Sequence, residues 1–258
     1  MFQKELNAAL EAAEKAKEVI LSVYHGSFDI EIKEDDSPVT IADKMADEII
    51  RKHLSALFPT HAFLTEESED DLNRLNNDFV WIVDPVDGTK DFIAKDDEFT
   101  TNIALCYKHE IVVGVISVPA RNEIYYATKN GGAYYLHDGK AERIFANNKT
   151  NQLTCLTSVF HLNKQEEALI EKHKDIISSV VKAGSSLKAC YIASGKAEIS
   201  YRMSPNTKEW DTAASEIIIS ESGAVMLTPA LKKMTYNRED VYNREGYIIA
   251  NKIENILL

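Results

Sequence analysis

The stretch Trp81-Ile82-Val83-Asp84-Pro85-Val86-Asp87-Gly88-Thr89 constrains this chain more than any other. An apolar strand runs into two carboxylates three residues apart, and Pro85 fixes the turn between them. Gly88 permits a close backbone approach, and Thr89 opens a short helical turn over Lys90 to Ala94. Such a loop suits two chemistries at once. Hard cations such as Mg²⁺ take oxygen ligands in octahedral geometry, and Asp84, Asp87 and the Val86 carbonyl offer three. The N–H groups of Gly88 and Thr89, at a helix N-terminus, suit a phosphoryl group. The same residues also make an ordinary polar turn, since Asp and Gly are common turn formers.

Two other segments end in acids. Leu64-Thr65-Glu66-Glu67 closes a short apolar strand, and Glu209-Trp210-Asp211-Thr212-Ala213-Ala214 opens a helix. Each alone reads as a cap or a solvated charge. Three such ends without a compensating basic cluster point to a shared cation site. The balance of Asp+Glu 41 against Lys+Arg 29, a net charge of -12, agrees with it. That balance argues against nucleic-acid binding, which needs a basic footprint. It would also repel an anionic substrate unless divalent cations inverted the local charge.

The 258 residues, 45% apolar and 27% charged, describe a globular chain with room for a sizeable core. Leu6, Ala9, Leu10, Ala13, Ala16, Val19, Ile20 and Val23 predict a helix over Glu5 to Tyr24, ended by Gly26. After the polar turn Asp35-Asp36-Ser37-Pro38, Thr40 is the expected cap of a second helix. Its predicted apolar stripe is Ile41, Met45, Ile49, Ile50, Leu54 and Leu57, with Pro59 as the stop. The period then changes. Ala62–Leu64, Phe79–Val83, Thr101–Tyr107, Ile111–Val118, Ile124–Thr128 and Ala133–Leu136 predict a largely antiparallel sheet. From Leu153 strands and helices alternate: helices over Lys164–His173, Ser186–Gly195 and Asp211–Ser222, strands over Leu153–Val159, Ser179–Val181, Ala197–Tyr201 and Gly246–Ala250. An α+β half and an α/β half follow. The division expected is a metal-binding subdomain over 1–150 and a subdomain over 151–258 contributing Asp211 and the substrate pocket, with the site between them. Asn147 to Gln152 reads as a plain connection.

Three widely spaced cysteines form neither a disulfide framework nor a zinc site and suit a reducing cytoplasm. The N-terminus lacks signal-peptide order. The longest apolar stretch, Ile111 to Ala120, is about half a bilayer span. The seven histidines show no ligand spacing and read mostly as surface residues.

At this point the chain resembles a known family. Trp81 to Thr89 and Glu209 to Ala214 are similar to the paired motifs of the inositol monophosphatase superfamily, Mg²⁺-dependent and lithium-sensitive phosphatases. Asp84 to Ile93, Glu98 to Leu105, Ser37 to Asp43 and Gly184 to Lys188 look like its CysQ branch, the bacterial 3'(2'),5'-bisphosphate nucleotidases. The resemblance runs from about Ser37 to Val225. It implies a layered α-β-α-β-α sandwich and two or three Mg²⁺ ions held by Glu66, Asp84, the Val86 carbonyl, Asp87 and Asp211. It also implies that Thr89, with Glu66 and Asp43, positions and deprotonates the attacking water. Val86, Asp91, Ser215 and Thr65 depart from the usual residues, but none of these changes removes a ligand.

The substrate side is less marked. Gly88, Thr89 and Asp211 belong to it, together with Gly184-Ser185-Ser186, which either meets a phosphate or nucleoside or simply caps a helix. Lys188 and Arg202 are phosphate contacts or solvated cations; Tyr191 and Tyr201 flank an adenine or pack in the core. The resemblance implies hydrolysis of 3'-phosphoadenosine 5'-phosphate to AMP and phosphate. Alternatives are an inositol-1-phosphatase, a broad sugar phosphatase, or a non-catalytic phosphonucleotide or cation sensor. The expected partner is a small phosphorylated nucleotide, with no nucleic acid and no membrane span, in a monomer or homodimer.

Overall fold

The computed structural model describes residues 2–32 and 38–258, so the expected turn at Asp35-Asp36-Ser37 lies outside the described residues. The first helices are α1 (Gln3–Tyr24) and α2 (Ile41–Leu57), separated in sequence by the antiparallel pair β1 (Ile30–Ile32) and β2 (Pro38–Thr40). Seven strands follow: β3 (Ala62–Thr65), β4 (Phe79–Asp87), β5 (Thr100–Tyr107), β6 (Glu110–Val118), β7 (Glu123–Thr128), β8 (Gly132–His137) and β9 (Lys140–Ile144). They form one sheet in sequence order, with the short helix α3 (Thr89–Ala94) between β4 and β5. Only β3–β4 is parallel in this sheet.

The second half runs β10 (Leu153–Thr157), α4 (Lys164–Lys172), β11 (Ile177–Lys182), α5 (Leu187–Ala193), β12 (Ile199–Arg202), α6 (Glu209–Glu221), β13 (Val225–Leu227) and β14 (Tyr247–Ala250). Its sheet has the order β11-β10-β12-β14-β13, with β10 parallel to β11 and β12, and β14 antiparallel to β12 and β13.

The layers stack as α-β-α-β-α. Helices α1 and α2 cover one face of the large sheet, where Ala9, Ala13, Ile20 and Leu54 meet Trp81, Val83 and Leu105. Helices α5 and α6 fill the middle through Leu187, Ile192, Ile217 and Ile218, against Val80 and Ile82 of the same strand β4. Helix α4 lays Leu169 and Ile170 on Cys155, Ile199 and Ile248 of the outer sheet. Successive β4 residues therefore face different layers, and both faces are dry. This is why the strand reads as an unbroken apolar run rather than an alternation. Gly114 on β6 permits the close seat of α6: a Cβ there would lie 2.5 Å from Ile217 Cγ2 and 2.8 Å from the Ala214 carbonyl oxygen.

Two expectations need correction. The buried stripe of α2 is Ala42, Asp43, Ala46, Asp47, Ile50 and Leu54, whereas Ile41, Met45 and Leu57 are exposed. Small residues at 42 and 46 let α2 approach the alanine-rich face of α1, and this rotation buries Asp43 and Asp47. Asn147 is no passive link either. Its amide donates to the Gly195 carbonyl at 2.8 Å and to buried Glu198 at 2.7 Å, while Asn251 donates to its Oδ1 at 2.9 Å. Strands β1, β9 and β13 carry no sequence signal of their own. β9 is a mostly exposed edge (Lys140-Ala141-Glu142-Arg143-Ile144), and β1 and β13 have only three residues each.

Candidate active site

Two carboxylates three apart on a plain strand would point to opposite faces. Strand β4 instead continues through the acidic motif with an irregularity: Asp84 pairs with Asn102 but Asp87 pairs with Thr100, so one extra residue is accommodated. This bulge restores both side chains to one side, and Thr101 fastens it by donating to the Pro85 carbonyl at 2.9 Å. The apolar run ends at Val83, and the bulge is how the strand continues past it.

Helix α6 brings Asp211 to the same point. Carboxylate oxygens of Asp84, Asp87 and Asp211 lie within 4.8 Å of one another. Asp211 sits in the first turn of α6, where one of its oxygens accepts from the Lys208 backbone N–H at 2.6 Å. Glu66 follows β3, its N–H donating to the Val83 carbonyl at 3.2 Å, and lines the same cleft. The electrostatics record the crowding. Burial, then the charges of Glu66, Asp87, Asp211 and Asp43, hold the Asp84 carboxyl well above its usual range. Asp211 is pushed to about 8, first by burial and then by Asp87 and Glu66. Asp84 Oδ1 is buried with no hydrogen-bond partner. An orphaned carboxylate oxygen among mutually repelling carboxylates is the donor set of a hard divalent cation, so these residues fit one.

Thr89 stands beside this cluster at the start of α3. Its hydroxyl lies 3.3 Å from the Val86 carbonyl and 3.4 Å from Asp43 Oδ1. Asp43 is buried and held by the N-cap of α2: its Oδ2 accepts from the Thr40 N–H at 2.9 Å and the Thr40 hydroxyl at 2.7 Å. Burial raises its carboxyl above the ordinary value, with the Thr40 hydrogen bonds opposing. Gly88 has φ of 87°, which strains any other residue, and its absent Cβ position lies a tight 3.0 Å from Asp91 and 3.1 Å from Ser185.

The cleft has a volume of about 580 Å³ and is lined by Glu66, Asp87, Thr89 and Asp211 together with Ser185, Ser186, Lys188 and Arg202. The serines use their protons within the protein. Ser186 donates to Asp87 Oδ2 at 2.7 Å and Ser185 to the Glu98 carbonyl at 2.6 Å. Lys188 donates to the Ser185 carbonyl at 2.6 Å and the Ala183 carbonyl at 3.1 Å, so it braces the loop as well as lining the cleft. Arg202 donates to the His161 carbonyl at 2.8 Å.

Of the two readings of the tyrosines, core packing holds for Tyr201 and neither residue lines the cleft. Tyr201 is buried in the outer core, where its hydroxyl donates to the Leu257 carbonyl at 2.8 Å, and Tyr191 accepts from Arg121 at 2.6 Å outside the cleft. Tyr242, Tyr247 and Trp210 line it instead. Lys90 and His161 also line it; His161 carries no sequence signal, since only the β10–α4 connection delivers it there. Of the seven histidines, His25, His109 and His161 are exposed and the other four are half-buried. Although part of the His161 residue faces solvent, the cleft wall partly desolvates its ring, and this, then the cations Lys90, Arg202 and Lys188, lowers it to about 4. These lysines and arginine answer the charge puzzle locally: a strongly acidic chain presents a cation-bordered cleft.

The sequence profile of the inositol monophosphatase family matches residues 2–257. The 3'(2'),5'-bisphosphate nucleotidase CysQ of Salmonella typhimurium is 33% identical over 94% of this chain and 98% of its own. That of Aggregatibacter actinomycetemcomitans is 30% identical over 95% of this chain and 91% of its own. Among solved structures, CysQ from Bacteroides thetaiotaomicron, a bacterial member of the same family, superposes with a TM-score of 0.84 at 36% identity, covering 97% of this chain and 98% of that one. Extragenic suppressor protein SuhB from Bartonella henselae gives 0.82 at 26%, covering 98% and 96%.

Proposed function

The chain belongs to the inositol monophosphatase family, and on that footing we propose that it is a 3'(2'),5'-bisphosphate nucleotidase, releasing the 3'-phosphate of 3'-phosphoadenosine 5'-phosphate to leave AMP. The observation that carries this reading is the convergence of Asp84, Asp87 and Asp211 beside the Thr89–Asp43 pair, in a cleft that Lys188 and Arg202 also line. The similarity to CysQ proteins over nearly the whole chain supports the choice of substrate.

Glu66, Asp84, the Val86 carbonyl, Asp87 and Asp211 would hold Mg²⁺, as two or three ions. Bound there, divalent cations neutralise phosphate charge and acidify water. Thr89 orients the attacking water: with its proton directed to Val86 or Asp43, its hydroxyl oxygen accepts from that water. Asp43, whose carboxyl burial raises from its ordinary value, is the proton acceptor behind it, and Glu66 is the second. The N–H groups of Gly88 and Thr89 hold the phosphoryl oxygens. Lys188, Arg202 and the Ser185–Ser186 turn hold the remainder of the nucleotide.

Among the described residues no helix is long and apolar enough to cross a membrane. The unpaired, buried Cys106, Cys155 and Cys190 fit a reducing cytoplasm, where we place the protein as a monomer or homodimer. The test is phosphate release from 3'-phosphoadenosine 5'-phosphate, inositol-1-phosphate and fructose-1,6-bisphosphate, with and without Mg²⁺. A kcat/KM about a hundredfold higher for the nucleotide, roughly 2.7 kcal/mol, is expected. Equal rates would make this a broad phosphatase, and no release would favour a sensor.

A further inference from the structure

Two of the segments that carry site carboxylates are joined by a buried polar strap that runs through Asn237, remote in sequence from both. Glu209, the first residue of α6 and two before Asp211, is fully buried. Its carboxylate accepts from the Asn237 N–H at 2.7 Å, the Arg238 N–H at 2.8 Å and the Arg238 Nε at 3.1 Å. Asn237 in turn accepts at Oδ1 from Arg74 Nη1 at 2.8 Å, and its amide donates to the Arg74 carbonyl at 3.2 Å. Arg74 has a side chain 1% exposed. It donates to the Arg238 carbonyl at 3.0 Å and, through both Nε and Nη2, to Asp70, which lies four residues after Glu66. On its far side this segment is tied to α2, since Ser68 donates to Asp47 at 2.8 Å.

A guanidinium and a carboxylate are expensive to bury, and apolar packing often gives equal or greater stability. What hydrogen-bonded charges supply and apolar contacts do not is a fixed register between two segments. The geometry points to Arg74, Asn237 and Glu209 as positioning residues that set the spacing of Glu66 against Asp211, and so the affinity of the acidic site for divalent cations. This inference rests on reading that site as a cation site, and it goes beyond the reaction proposed.

Asn237→Gly is the sharpest test. Asn237 has φ of 56°, a conformation glycine adopts freely. The substitution cuts the link to the Arg74 side chain and leaves the backbone N–H that Glu209 accepts. Tyr201→Phe, which removes a part-buried hydrogen bond at the outer core, serves as a stability control. Mn²⁺ alone is titrated into each protein, with free ion read by electron paramagnetic resonance; Mg²⁺ activation and substrate KM are measured separately. Asn237→Gly is expected to weaken Mn²⁺ binding and raise the Mg²⁺ midpoint about tenfold, with kcat largely restored at saturating Mg²⁺. Arg74→Met combined with it should cost less than the sum of the two single changes, because both remove the Arg74–Asn237 side-chain link. Wild-type Mn²⁺ affinity in Asn237→Gly, or an equal shift in Tyr201→Phe, would overturn the inference. A wild type that binds Mn²⁺ but releases no phosphate would sink the nucleotidase reading while leaving this comparison readable.

Discussion

The Ser186 hydroxyl donates to Asp87 Oδ2 at 2.7 Å, joining the turn before α5 to the bulged end of β4. The same oxygen accepts from Asn102 at 3.1 Å and Thr100 at 3.2 Å, so three donors jointly fix the orientation of Asp87, and the Ser186 contact is the shortest of them. Part of that orientation is set from the other half of the chain. Ser186→Ala should therefore fold normally yet lower kcat/KM about tenfold, or ~1.4 kcal/mol. Steady-state kinetics at saturating Mg²⁺ check it, and an unchanged kcat/KM would remove Ser186 from the machinery.

Asp84→Asn should abolish Mg²⁺-dependent turnover and, in EDTA, stabilise the protein. Burial and four neighbouring acids oppose the charged form of Asp84, and a neutral amide of the same shape escapes that opposition. Relief of ~1 kcal/mol corresponds to a melting temperature higher by about 2–4 °C. Calorimetry in EDTA beside the phosphate assay reads both effects.

The pH dependence of the metal-free protein follows from Asp211, whose carboxyl moves from the ordinary 3.8 to about 8. Between those values the folded state holds more protons than the unfolded state, so stability falls as pH rises through that window. Cations need the deprotonated carboxylate, so their affinity moves the opposite way. Melting in EDTA should decline from about pH 5 to about pH 8, and the gain from added Mg²⁺ should grow over the same range. A Mg²⁺ gain independent of pH would contradict the acidic-site assignment.

Tyr247 and Tyr201 should separate cleanly. Tyr247→Ala should raise KM for the nucleotide by about tenfold, the order of an aromatic–base contact, and leave inositol-1-phosphate less affected. Tyr201→Phe should lower the melting temperature without moving either KM beyond about twofold. The two KM values for each variant decide it.

Much of this protein is legible in its sequence. The layered architecture is what the family motifs imply, while the change of hydrophobic period marks only an α+β half followed by an α/β half. The helices α1, α2, α4, α5 and α6 fall within a few residues of their expected places, because caps and apolar spacing are local signals. Asp43, Glu66, Asp84, Asp87, Thr89 and Asp211 all stand out as motif residues, and the structure gathers them around one cleft. Edge strand β9 escapes such reading because its residues are mostly solvated and carry no apolar pattern.

What the chain alone determined was therefore a set of local tendencies: which segments bury, where helices begin, and which short runs carry oxygen ligands. The tertiary structure decided how those runs meet. A bulge in β4 turned Asp84 and Asp87 to one side, and a rotation of α2 carried Asp43 to Thr89. The fold also put Tyr247 rather than Tyr201 in the cleft, and it joined Arg74 to Glu209, far apart in sequence, through Asn237. Each outcome depends on contacts between residues distant along the chain, and neither local propensity nor periodicity carries that information.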